Sequence, residues 1–199
     1  MRWDRFFEDI EDQLESEWEA ERTALETEAE RLRLSKLTVH ERLAALVGAE
    51  TSSAIELVDG SVVTAPVCAL GADWLLASPW RTRGGAALVP LSSVVSIRMP
   101  HAELLRTARP ADPGAKAPVS RRATFGFAVR DLVRRRAGAT VNLIGGRTLT
   151  GTIDRAGADH LDLALHDSDA PRRRAEVTAF RLVPFAAIAW IGADAPVPV

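Results

Sequence analysis

The sequence predicts a mainly β protein with helices: a long N-terminal acidic α-helix followed by two tandem helix-plus-five-strand small β-barrels. Three observations carry that expectation. Residues 1–34 repeat apolar side chains at helical spacing in a strongly acidic background. Two stretches of the remaining chain align with each other at a constant offset of 86 residues. Within each stretch, short apolar runs alternate with turns marked by glycine and proline, at lengths typical of strands.

The first element follows from periodicity. Trp3, Phe7, Ile10, Leu14, Trp18, Leu25 and Leu32 fall on one face at 100° per residue. Neither glycine nor proline interrupts the segment before Gly48, and good helix formers dominate it. Several of these residues recur in steps of eleven (3, 14, 25), which favours a nearly straight helix over a left-handed supercoil. Residues 1–34 hold three Asp and nine Glu against five Arg, a net −7; in a chain of net −2 the remainder therefore carries +5. A negative arm on a mildly positive body is a clue to behaviour: the stripe is expected either to pack on the chain's own barrels or to associate with another copy or a partner.

The duplication supplies the rest of the fold. Ile55, Leu57, Asp59 and Gly60 match Val141, Leu143, Gly145 and Gly146; Val63 and Val67 match Leu149 and Ile153; Gly71-Ala72-Asp73 matches Gly157-Ala158-Asp159. After a connection eight residues longer in the second copy, Val89-Pro90-Leu91 matches Val183-Pro184-Phe185, and Val94 and Ile97 match Ile188 and Ile191. Val39, Leu43, Leu46 and Val47 match Phe125, Val129, Leu132 and Val133 at helical spacing, so a helix leads each copy. Asp59-Gly60 and Gly145-Gly146 suit a two-residue hairpin between the first and second strands. Pro90 and Pro184 end the fourth strand, where a missing N–H is tolerated. Five short, bent strands are expected to close into a barrel and so remove exposed edges.

The organisation that results is 1–36, an acidic amphipathic helix; 37–99, a first small barrel with its leading helix; 100–122, a Pro/Ala-rich linker with a helical turn near residues 102–108; 123–192, a second barrel with its leading helix; and 193–199, a loose tail. The stretch Val141-Asn-Leu143-Ile-Gly-Gly146-Arg147-Thr-Leu149-Thr-Gly151-Thr-Ile153 resembles the first half of the Sm signature, the group that includes bacterial Hfq. The run around Gly151, Gly157 and Asp159 is also similar to SH3-like barrels, including the C-terminal barrel of biotin protein ligases. The resemblance implies an Sm-like or SH3-like fold across both copies and, in its Sm-like form, RNA binding. The chain departs from the Sm pattern where Asp162 stands in place of the loop Asn, where the Arg-Gly pair of the last strands is missing, and where Ala65-Pro66 replaces Gly151-Thr152 in the first copy.

Composition narrows the function. A single cysteine, Cys68, rules out an internal disulfide framework and fits a reducing compartment. The opening residues turn acidic at once, without the apolar core of a signal peptide, and no run reaches the ~18 apolar residues of a membrane span. The expected location is cytoplasmic, with no membrane association. Scarce lysine and abundant alanine suggest a GC-rich bacterial genome. No nucleophile–base pair or paired carboxylates can be placed, and Asp159, His160, Asp162 and His166 match no standard zinc spacing. Catalytic residues, cofactor, metal and small-molecule substrate are therefore not expected.

Two sets of side chains remain as interaction candidates. Arg134, Arg135, Arg136, Arg172, Arg173 and Arg174 could contact nucleic acid or another anion, since guanidinium pairs with phosphate in a bidentate manner. Trp3, Phe7, Ile10, Leu14, Trp18, Leu25 and Leu32 form a face for a partner helix. The function expected is a non-enzymatic adaptor, scaffold or regulatory protein that binds a protein partner or itself through the helix and the tandem barrels. The alternative is an Sm-like RNA-binding protein that uses the Arg-rich loops of the second barrel.

Overall fold

A computed structural model describes the backbone at residues 2–80, 85–110, 119–167 and 177–193, and the side chains of that set apart from 2–17, 20, 80, 119 and 120. Among the described residues the chain forms four α-helices and two antiparallel sheets, one of three strands and one of eight. It divides into two compact units, Met1–Arg42 and Leu43–Val199.

In the first unit, α1 runs over Arg2–Lys36, 35 residues without a break, about 52 Å at 1.5 Å per residue. Exposed pairs such as Glu30–Arg33, 2.6 Å apart, line its surface and contribute little each. The helix stops at Leu37. Thr38 then opens α2 (Val39–Leu46) with a capping box: the Glu41 carboxylate accepts from the Thr38 N–H at 2.7 Å, and the Thr38 hydroxyl accepts from the Glu41 N–H at 3.2 Å.

The second unit contains both copies of the repeat. The first copy has β1 (Ser53–Leu57), β2 (Val62–Ala65), β3 (Val67–Leu70), β4 (Trp74–Trp80), β5 (Gly85–Pro90) and β6 (Val94–Arg98). Helix α3 (His101–Thr107) follows it. The second copy has helix α4 (Phe125–Arg135), then β7 (Gly138–Leu143), β8 (Thr148–Ala156), β9 (His160–Leu165), β10 (Ala179–Pro184) and β11 (Ile188–Ala193). In both, the fourth strand ends on the expected proline and a single 3-10 turn, Leu91–Ser93 or Phe185–Ala187, leads into the fifth.

The hairpins differ in detail from the two-residue turn expected. The Leu57 N–H donates to the Ser61 carbonyl and the Gly60 N–H to the Leu57 carbonyl, each at 2.9 Å; Leu143, Arg147 and Gly146 repeat the pattern. Only the second residue of each pair has positive φ, +81° at Gly60 and +76° at Gly146. The loop is therefore three residues long, a tight turn closed by a glycine bulge.

The strands do not close into two barrels. The large sheet has the order β10-β9-β8-β7-β11-β5-β4-β3, and the small one β2-β1-β6. Two physical causes are visible. Pro66 lacks an N–H and cuts the second strand of the first copy, so β2 stays with β1 while β3 continues with β4. In the second copy β8 runs unbroken through Gly151. The edge of β11, which closure within that copy would need, is instead paired with β5 of the other copy, through Ile191–Leu88, Gly192–Ala87 and Ala193–Ala86.

The aligned aliphatics form the interior. Ile55, Leu57, Val63, Leu75 and Val89 are buried in the first copy, as are Val141, Ile153, Leu161, Ile188 and Ile191 in the second. The leading helices agree at Leu43 with Val129 and at Leu46 with Leu132, all buried. Val39 is the exception: it is exposed, while its counterpart Phe125 is buried against Phe185.

Gly151 shows how tightly β8 and β9 approach. A Cβ there would overlap the Ala164 carbonyl, a backbone group that cannot rotate away. Gly151→Ala is expected to lower stability by about 1–3 kcal/mol or more, seen as a lower urea midpoint with an unchanged slope.

Candidate functional site

The Arg-rich candidates separate. Arg134 and Arg135 occupy the last turn of α4, where cations suit the helix dipole. Both are held by Asp131, Arg134 Nη2 at 2.8 Å from one carboxylate oxygen and Arg135 Nε at 2.6 Å from the other. Partial burial pushes the Asp131 carboxyl up, but hydrogen bonds from Arg135 and Arg134, with their charges, outweigh it and hold it below the usual carboxylate range. The cluster's contribution to stability is thus present above the ordinary carboxylate pKa and is lost as pH falls through the lowered folded value. Arg136 ends the helix in the left-handed region at φ 50°, donating its N–H to the Val133 carbonyl at 3.1 Å. Arg172, Arg173 and Arg174 lie outside the described residues. The exposed guanidinium surface at the end of α4 is therefore partly neutralised by a residue one turn away.

The helical face places differently. Trp3, Phe7, Ile10 and Leu14 lie on the helical backbone of α1, with side chains outside the description. Trp18, Leu25 and Leu32 are 72%, 65% and 55% exposed. Three large apolar side chains standing in water along one helix are a surface that an association would cover.

His166, His160 and Cys68 are engaged in local structure. His166 is buried, with Nε2 2.8 Å from the Thr152 hydroxyl and Nδ1 2.9 Å from the Asp167 carbonyl. His160 Nδ1 bonds Asp159 at 2.8 Å, and that contact holds the Asp159 carboxyl below its usual range. Among the described residues no group of three His, Cys, Asp or Glu could hold a metal ion. The Cys68 thiol donates to the Ser78 carbonyl at 2.9 Å.

A third surface joins the two copies. The large sheet has a core on each side. One core gathers Ala69, Trp74, Leu76, Ala86 and Leu88 of the first copy with Phe125, Val129 and Leu132 of α4 and the strands of the second. The other gathers the first copy's interior with Ala189 and Trp190 of β11. Polar contacts pin the join. The Asp73 carboxylate accepts from the Phe125 N–H at 2.6 Å, capping α4 from the other copy. The Trp74 indole N–H donates to the Ala123 carbonyl at 2.9 Å, and the Trp190 indole N–H to Asp59 at 3.2 Å. The Ser93 hydroxyl sits between the Pro90 and Ala189 carbonyls, placed to donate to either.

One sequence signal could have revealed this join. Leu75-Leu76-Ala77 and Ala86-Ala87-Leu88-Val89 are continuous apolar runs, the mark of strands covered on both faces. Their counterparts Leu161-Asp162-Leu163 and Phe180-Arg181-Leu182-Val183 include charged residues, as half-exposed strands do.

Comparison of the chain with protein-family models, curated proteins and solved structures found no match. Among the described residues no helix is long and apolar enough to cross a membrane.

Asp73→Ala leaves the buried Phe125 N–H without its acceptor and is expected to cost about 1–2 kcal/mol in urea unfolding. Asp159→Ala, at the exposed equivalent position, should leave the midpoint unchanged.

Proposed function

We propose that this protein is a non-enzymatic adaptor or scaffold that acts through protein–protein contacts. Helix α1 takes a second helix, from another copy or from a partner protein, and the joined repeat provides a rigid body. One observation carries the reading: the exposed stripe of Trp18, Leu25 and Leu32 on a 35-residue helix. Covering such a stripe takes large apolar side chains out of water and so stabilises the associated form. The strong negative charge of residues 1–34 favours a partner protein with a neutral or basic face over the equally acidic helix of another copy.

The same reading includes an Sm-like or SH3-like ancestry for each repeat. It is supported by the strand order, with the fifth strand beside the first and the fourth beside the third in both copies. RNA binding does not follow from that order, because fold does not carry function. The tether of Arg134 and Arg135 to Asp131 works against it.

Replacing Trp18, Leu25 and Leu32 together by Gln in the full chain tests the proposal. Helicity by circular dichroism should persist, while association by light scattering and protein capture from the source cell should both fall at least ten-fold. Unchanged association and capture would sink the adaptor reading, and nuclease-sensitive capture with no dependence on these residues would favour RNA.

A further inference from the structure

We propose that the apolar stripe of α1 docks on the outward leucines of helix α3 in a second copy of this chain, so that two chains exchange their acidic arms. The inference rests on the reading of α1 as a docking helix and names the surface that receives it.

Helix α3 turns its polar side to the protein and its leucines to water. On the inward side, Arg106 Nη1 donates to the Ala45 carbonyl, in the last turn of α2, at 2.7 Å. Its Nε and Nη2 donate to the Glu103 carboxylate at 2.9 and 2.5 Å. The Glu103 side chain is 17% exposed and Thr107 is buried. On the outward side, Leu104 and Leu105 are 44% and 56% exposed, and His101, one turn earlier on the same face, is exposed with them.

This orientation has a cause. Carbonyls in the last turn of a helix lack intrahelical donors and favour a cation, which Arg106 supplies to α2. Glu103 holds the same guanidinium from within α3, so the ion pair fixes how α3 is rotated. Two large apolar side chains are thereby held in water by polar contacts behind them. A surface of that kind is one that another molecule covers.

Charge identifies the occupant. Around Trp18 the chain carries Glu15, Glu17, Glu19 and Glu21, so an exposed tryptophan stands among four carboxylates. At α3 the one carboxylate, Glu103, is engaged by Arg106, while Arg98 just before the helix and Arg109 just after it are exposed. An apolar anchor ringed by acids thus matches an apolar face with cations at its ends. Two α1 helices would instead bring like charges together. Tryptophan is also among the side chains that most often anchor an interface, and Trp18 packs on Leu104 and Leu105.

Reach and symmetry give the form of the assembly. Trp18 stands about 27 Å along the axis of α1 from Lys36, the last residue of that helix. One helix laid on the seven-residue α3 makes a small contact. When each chain places its arm on the other, the contact occurs twice about a two-fold axis, and the second forms within an existing complex. The product is a closed dimer.

Sedimentation velocity of the full chain over a wide concentration range tests this, at about 0.05 M and about 0.5 M salt, which differ several-fold in screening length. The mass should rise with concentration from 21.5 kDa toward twice that value and no further. Association should weaken at the higher salt, since the charges that meet are opposite. Leu104→Gln with Leu105→Gln should weaken it at least ten-fold with an unchanged melting curve, because both positions are exposed. Arg109→Glu, also exposed, should weaken it about three-fold. The decisive arm mixes the Leu104/Leu105→Gln chain, which keeps its stripe, with the Trp18/Leu25/Leu32→Gln chain, which keeps its α3. The mixture should associate more tightly than either variant alone and less tightly than the unaltered chain, since one of the two contacts is restored. A mixture no tighter than its components, a monomer at all concentrations, or association that strengthens with salt would each overturn the proposal. If the stripe variant alone loses association and partner capture while both α3 variants keep them, the adaptor reading stands and this inference fails. If the stripe variant changes neither, the adaptor reading fails with it.

Discussion

The pairing of β11 with β5 is the constraint on which the rest of the molecule's second unit depends. It joins two repeats at one ladder and sets three strands of the first copy beside the five of the second in a single eight-stranded sheet with a core on each side. Strands β4 and β5 are then enclosed on both faces, and residues such as Leu76 and Leu88 lose contact with water only because the other copy is there. Burying a leucine side chain is worth about 1.5–3 kcal/mol, so the joined form holds apolar area that neither copy could bury alone. The two copies consequently behave as one compact unit.

Polar contacts at the join act on position more than on total stability. Asp73 satisfies an N–H at the start of α4, Trp74 and Trp190 each place an indole N–H on an acceptor from the opposite copy, and Ser93 bridges toward Ala189. Such groups are costly if left without partners inside a protein, so they select one relative placement of the copies over neighbouring ones. A body fixed in this way keeps a constant spacing between the surfaces of its two copies. It also explains why the repeat, though duplicated, is not symmetric in chemistry. One copy is apolar on the face that meets its neighbour, whereas the other has Arg155, His160 and Asp162 at the equivalent positions.

The arginine clusters show how local ion pairing changes the meaning of a charge run. Read as sequence, Arg134-Arg135-Arg136 is a block of three cations. In the helix, Asp131 lies three and four residues earlier on the same face and takes two of them. What is left is a mildly basic helix end with a strained left-handed residue, Arg136, where glycine is the usual occupant.

Much of this was readable from sequence because it is local or periodic. The leading helices, the hairpin glycines, the prolines closing the fourth strands and the aliphatic positions of both interiors follow from spacing and turn chemistry, which act over a few residues. The closed barrels expected from those same signals did not form. Which edge a strand pairs with is settled between elements far apart in the chain, and Pro66 and the β5–β11 ladder redirected it. The cap from Asp73 and the reach of Trp190 into the other core are likewise products of tertiary packing. Hydrogen bonding within a segment depends on that segment's residues, whereas the choice among equally good edges depends on everything folded beside them.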